Sequence, residues 1–380
     1  MRAVPAPWIA HGLAAATLVG VASFGALAQV AEVTSSSPTR GHAAANAQPA
    51  TFAGPDGYIA FSRAGRGIFL ADPDSGGERR LAATALGSVA CSRDGSWLAF
   101  IRARGDSHRG DDIYRVAASG RRAKRLTNTR GIAETDPVWS PDARRIVYGS
   151  GAVLGSYDLW VMNADGSGKR RITHRPGDEG RAAWSPGGRR IALSAYGTRS
   201  RRGGIFVATI AGGRLSRLTR GRALADSPDW SVRNLIAYER WRRGITSLYA
   251  VNPDGGGNTR LASLRGSVNR IAWSPDGRRL ALDLTVAEIA DSATAGIYVV
   301  EADGTGLTRL TDESSDAADP VWSPDGTKIA YTRNSDVWVM NAEGTAQHQL
   351  TSDPASESVG CWKPLRPRAS GSTPSRSPAK

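Results

Sequence analysis

A motif of about ten residues returns seven times along the chain, and this recurrence limits what the chain can fold into more than any other feature. The copies read GPDGYIAF at 54–61, CSRDGSWLAF at 91–100, WSPDARRIVY at 139–148, WSPGGRRIAL at 184–193, WSVRNLIAY at 230–238, WSPDGRRLAL at 273–282 and WSPDGTKIAY at 322–331. Anchored on the Trp position, successive copies are 38 to 49 residues apart. Each is followed by a second half, such as DLWVMNADGSGKRRIT from Asp158 or GIYVVEADGTGLTRLT from Gly296. Ser-Pro-Asp-Gly and Asn-Ala-Asp-Gly suit tight turns: Pro presets φ, Asp bonds its own backbone, and Gly tolerates the last position. Each unit therefore reads as four short strands, in the third copy at 137–140, 145–149, 158–162 and 169–173. The period is too long for helix-pair repeats of about 33–34 residues and fits a four-stranded blade of about 40–45.

A lone four-stranded sheet has two apolar faces and raw edges. Stacking such sheets radially covers the faces, and closing the ring leaves only short edges. The expected fold is all-β: one seven-bladed propeller of antiparallel four-stranded blades over 51–362, rather than the two or three domains that 380 residues would suggest. An extra half-copy, CWKP, places Trp362 another 40 residues on. The first copy has a poorly formed inner strand near 49–53, so 359–362 is expected to supply that strand and close the ring. A degenerate eighth blade is the alternative. Cys91 and Cys361 then fall on neighbouring inner strands. They read either as a disulfide clasp or as two separate buried thiols.

The ends differ from the body. Residues 8–28 form an apolar run ending in Ala26-Leu27-Ala28, a small-x-small pattern read as a signal peptide over 1–28. An uncleaved membrane anchor is the alternative, since the run approaches spanning length. Residues 29–50 read as a flexible spacer and 363–380 as a disordered basic tail. The formal net charge is +14, of which the last eighteen residues supply +5. The remaining excess is diffuse, and no nucleic-acid-binding module is recognisable. The expected location is periplasmic or secreted.

The string WSPDG…IAY…DLWVMNADG…LT resembles the TolB-type propeller repeat across 51–362. That resemblance implies an exported bacterial propeller acting as a protein-binding hub in the Tol–Pal envelope system. TolB proper has six blades behind an amino-terminal α/β domain; this chain has seven repeats behind a 22-residue spacer. The same repeat is also known beside peptidase domains and in some polysaccharide lyases.

Chemistry-bearing residues are sparse. There is no GxSxG elbow. Of His11, His42, His108, His174 and His348, none lies at metal-ligand spacing. Asp142, Asp276 and Asp325 read as turn residues. Trp139, Trp184, Trp230, Trp273 and Trp322, recurring at one position of a radial fold, read as packing. No metal or cofactor is expected. The copies differ most between strands b and c, in loops expected to carry Arg104, Arg109, Arg199, Arg201, Arg202, Arg240, Arg242 and Arg243, with the longest loop at 283–296. Function is expected on this variable face or at its channel mouth. Arginine pairs with carboxylate or phosphate, so the leading expectation is a monomeric, non-enzymatic scaffold binding a protein or anionic envelope polymer. The alternative is a polysaccharide lyase or hydrolase with its site at the channel mouth.

Overall fold

The computed structural model describes residues 57–363 apart from 84, 104–109, 121, 153–155, 198–199, 213–214, 222, 243–244, 288–292 and 314. The expected signal peptide and spacer, the first copy's strand near 49–53 and residues 364–380 lie outside the described residues; Lys363, expected to open the tail, instead ends the strand Glu357–Lys363. Seven separate four-stranded antiparallel sheets make a seven-bladed propeller. The inner strands a are Glu357–Lys363, Leu86–Cys91, Ala133–Trp139, Glu179–Trp184, Leu224–Trp230, Ser267–Trp273 and Ala317–Trp322 for blades one to seven.

Blade one is composite. Its inner strand Glu357–Lys363 comes from the carboxyl-terminal end and pairs antiparallel with Tyr58–Arg63, from Tyr58 opposite Lys363 to Arg63 opposite Glu357. The ring is thus closed by strand exchange between the two ends of the propeller. A small contact repeats around it. The glycine of the c–d turn rests on a leucine of the preceding blade: Gly166 on Leu126, Gly255 on Leu218, Gly304 on Leu261 and Gly344 on Leu310. Gly76 of blade one rests on Leu350 of blade seven in the same way.

The core lies between blades rather than within them. One cluster joins Ala99 and Ile113 of blade two to Ile146 and Tyr148 of blade three, and another joins Ile59 and Phe61 to Val337 and Val339 across the closure. The repeated tryptophans stitch these interfaces. Nε1 of Trp139, Trp184, Trp273 and Trp322 donates to the carbonyls of Ala90, Val138, Asp229 and Ala272 on the preceding inner strand, at 3.0–3.2 Å. Trp230 turns to Asn234 Oδ1 of its own blade instead, because WSVRN lacks the Pro-Asp-Gly turn. Basic residues at the start of strand b work from the other side. Arg145, Arg190 and Arg279 lie 5.0–5.4 Å from the rings of Trp184, Trp230 and Trp322 in the next blade. Part of the chain's basic excess is therefore interblade mortar.

The turn aspartates are tied down locally. Ser140, Ser274 and Ser323 donate their hydroxyls to Asp142, Asp276 and Asp325 at 2.5–2.7 Å. In five blades the Thr two residues past strand d accepts a backbone N–H from strand c, as in Leu159 N to Thr173 Oγ1 at 2.9 Å.

The closing strand is held on both sides. Cys361 is disulfide-bonded to Cys91 of blade two, with Cα atoms 6.0 Å apart. On the other side the buried Arg63 donates Nε to Glu357 at 2.6 Å and Nη2 to Glu78 at 2.9 Å.

Candidate binding site at the channel mouth

The a–b and c–d turns share one face of the ring; the b–c hairpins and d–a connections share the other. On this second face the blades are unequal. Blade one pairs Tyr58–Arg63 with Gly67–Ala71, and blade seven pairs Lys328–Arg333 with Asp336–Asn341. Blade four pairs Arg190–Gly197 with Ser200–Thr209, blade five Ile236–Arg242 with Ile245–Val251, and blade six Arg279–Ala287 with Ala293–Glu301. Blades four and six thus carry the longest paired hairpins, and blade three, pairing Arg145–Gly151 with Tyr157–Asn163, matches blade five.

This corrects the expected loop assignments. Arg201 and Arg202 lie in strand c of blade four, and Arg240 and Arg242 in strand b of blade five, rather than in loops. The long blade-six loop shrinks to 288–292, because cross-strand pairing runs on through Thr285–Ala295 and Val286–Thr294. Arg104, Arg109, Arg199 and Arg243 lie outside the described residues, as do the side chains of Arg201 and Arg202. Arg240 reaches back to the Arg220 carbonyl at 3.3 Å and lies over the Tyr249 ring, while Arg242 is exposed.

Beneath the long hairpins the inner strands share an irregularity. A register shift breaks each pairing with strand b, between Thr135 and Val138, Gly180 and Ala182, Asp226 and Asp229, Val268 and Arg270, and Ala318 and Val321 in blades three to seven. Asp136, Arg181, Ser227 and Asp319 adopt positive φ there, at 46°, 26°, 54° and 55°. Bulges re-aim side chains, and these gather polar groups at the channel. Arg181 Nη1 donates to Ser227 Oγ at 3.0 Å and to the Asn269 carbonyl at 2.6 Å, linking blades four, five and six. Arg270 reaches the Val359 and Gly360 carbonyls at 3.4 and 3.2 Å and Asp319 at 3.4 Å, linking blades six, seven and one.

Carboxyls surround the first of these arginines. Asp226 accepts the Ser227 N–H at 2.6 Å and a hydrogen bond from Tyr196. Burial, reinforced by the Asp226 charge, pushes Glu239 up to about 8 against the pull of Arg181. Asp283 accepts Asn269 Nδ2 at 3.0 Å and the Asp319 N–H at 3.3 Å, and burial raises it to about 6. Enclosure by the inner strands likewise raises Asp136. A cluster with displaced carboxyl ionisation and convergent Arg and Tyr groups is where function is sought first. Among the described residues, no three His, Cys, Asp or Glu side chains are grouped to hold a metal ion. His174 and His348 are exposed and stand apart from this cluster.

Arg181, Tyr196, Asp226 and Asp136 were invisible to the sequence reading, since no two of them are close in sequence. One signal was available. Asp136, Ser227 and Asp319 each precede a proline inside an inner strand, and proline within a sheet marks an edge or a bulge.

The comparisons with known proteins agree with this architecture. The family model for the TolB beta propeller domain matches residues 57–273 and 205–335. The uncharacterized peptidase YuxL of Bacillus subtilis is 26% identical over 164 residues, 42% of this chain and 23% of that protein. The Protein TolB homolog of Chlorobium luteolum is 32% identical over 143 residues, 36% of this chain and 32% of that one. This chain thus matches no more than a third of the length of either relative. An oligogalacturonate lyase solved in complex with manganese superposes with a TM-score of 0.57 at 15% identity, over 77% of this chain and 83% of that one. Such low identity speaks for the fold alone. With the repeat, the seven closed blades and a family match spanning most of its length, the chain belongs to the TolB beta propeller domain family.

Proposed function

We propose that this chain is a binding propeller, exported from the cell, that seats a protein segment or an envelope polymer on the b–c face at the channel mouth of blades four to six. The observation that carries this reading is a polar floor drawn from four blades, set beneath the extended hairpins of blades four and six. The floor's carboxyls are engaged: Asp226 and Asp283 hold backbone N–H groups, and Glu239 accepts the Val268 N–H. Groups fixed in this way present a preorganised surface for recognition. The same floor bears on the partner's charge. Arg181 is engaged by Ser227 and the Asn269 carbonyl and stands beside Asp226, so the described part of the mouth offers a polyanion no uncommitted guanidinium there.

A second reading has its own support. Tyr196 and Arg181 converge with Asp226 and Glu239, and a carboxyl raised to about 8 is suited to general acid–base work. The partial match to a protein named as a peptidase adds support for a hydrolase. One pair of assays separates the two. A binder retains a partner from envelope extracts and turns over no polysaccharide or peptide substrate. An enzyme degrades one of them, at a rate that falls at least a hundredfold in Glu239→Gln.

A further inference from the structure

Trp241 is 47% exposed near the tip of the blade-five hairpin, an unusual setting for the largest apolar side chain. Along the unbroken pairing of Ile236–Arg242 with Ile245–Val251, side chains alternate between faces. Ala237 and its face-mate Leu248 pack against Leu282 and Leu284 of blade six. Glu239 and Trp241 continue that face outward, and Glu239 meets the Val268 N–H of blade six. Trp241 therefore lies on the outer part of the face that blade five turns toward blade six, where Val286 stands at the edge of the same apolar cluster. The floor runs inward from Glu239 to Asp226, Arg181 and the channel. Arg240 and Arg242 alternate to the other face, toward blade four, where Arg240 lies over Tyr249.

We infer that this edge of the blade-five face is a saccharide subsite, with Trp241 as the stacking platform for a neutral sugar ring and the polar floor as the partner of its hydroxyls. A pyranose presents an apolar C–H face bordered by hydroxyl groups that donate and accept. An exposed indole beside carboxyl oxygens and a guanidinium offers both halves of that match. A uronate polymer would bring its carboxylates against Asp226, while Arg181 is already engaged by Ser227 and the Asn269 carbonyl, so the floor suits a neutral glycan. The inference rests on the reading that the b–c mouth is the binding face, and it names the class of polymer bound there.

The test is titration calorimetry on the full chain with cellohexaose, maltohexaose and chitohexaose as neutral probes, polygalacturonate as the anionic probe and a cationic Lys/Arg peptide as the protein-like probe. At least one neutral hexasaccharide is expected to bind. Its affinity should fall tenfold or more in Trp241→Ala, recover substantially in Trp241→Phe, and remain unchanged in Arg144→Ala on the opposite face. Thermal unfolding of Trp241→Ala should match the parent, since the side chain is exposed. Failure of all three neutral probes, preference for polygalacturonate, or equal affinity in Trp241→Ala would overturn the inference. If the sugars fail while the peptide binds and loses affinity in Trp241→Ala, the binding face stands and the saccharide assignment falls. If Trp241→Ala and Asp226→Asn alter binding of no probe that the parent takes, both fall.

Discussion

At the residue scale, stability is set by interblade stitches whose removal has a calculable cost. Trp322 is buried and donates to the Ala272 carbonyl at 3.0 Å while Arg279 lies over its ring. Trp322→Ala should cost about 3–5 kcal/mol, whereas Trp322→Phe, which keeps the ring, should lose about 1 kcal/mol with the hydrogen bond. Denaturant unfolding of both variants distinguishes the two contributions. The raised carboxyls give stability a pH dependence. Burial holds Glu239 up to about 8, Glu134 and Glu179 up to about 7, and Asp283 up to about 6. Between the ordinary carboxyl range and these values the folded chain keeps protons that the unfolded chain has released, so stability declines as pH rises. The turn aspartates act oppositely. The hydroxyl hydrogen bond from Ser274 holds Asp276 low, and that from Ser167 holds Asp165 low, so their contribution is lost as pH falls below about 4. The thermal midpoint should therefore be greatest near pH 4–5 and lower at pH 8.5. Glu239→Gln should flatten that decline; an unchanged slope would contradict the burial assigned to Glu239.

At the element scale, the d–a connections are the tightest joints. Gly177 has φ +129°, and a Cβ there would lie 1.9 Å from the Tyr196 carbonyl oxygen; at Gly266, with φ +138°, it would lie 2.1 Å from that of Thr285. Alanine at either position should destabilise by more than the roughly 1–3 kcal/mol typical of overpacking. At Gly87, where the added atom meets nothing within 4 Å, only the strain of φ +68° applies, about 1–2 kcal/mol. These elements also show how far the sequence could be read. The apolar cores of strands b and c, the Ser-Pro-Asp-Gly turns and the Trp positions follow from spacing and turn chemistry, because each unit repeats the same local solution. The extensions of the hairpins were not legible. SRRGG and ERWR carry no alternation of apolar and polar residues, and they are strands only because a partner strand continues beside them. The bulges were legible only through Pro137, Pro228 and Pro320, and the side chains they aim, Asp136, Ser227 and Asp319, vary from blade to blade. A site assembled by Arg181 reaching the carbonyl of a residue 88 positions away has no signature in a single sequence.

At the scale of the whole molecule, closure depends on one strand. Glu357–Lys363 pairs with Tyr58–Arg63, is bonded to blade two through Cys361, and is gripped by Arg270 through two carbonyls. The double replacement Cys91→Ala with Cys361→Ala should cost about 2–5 kcal/mol, the range for a native disulfide, with the fold retained because pairing and the Arg63 network remain. Circular dichroism and thermal unfolding measure both. The central claim is that ligands meet this ring at the b–c mouth of blades four to six, and site-specific cross-linking tests it most directly. A photo-reactive aromatic residue placed at position 241 in the full chain should form an adduct with an envelope component. The same group at position 144, exposed on the opposite face, should form none. Adducts from 144 but not from 241 would contradict the placement of the binding face.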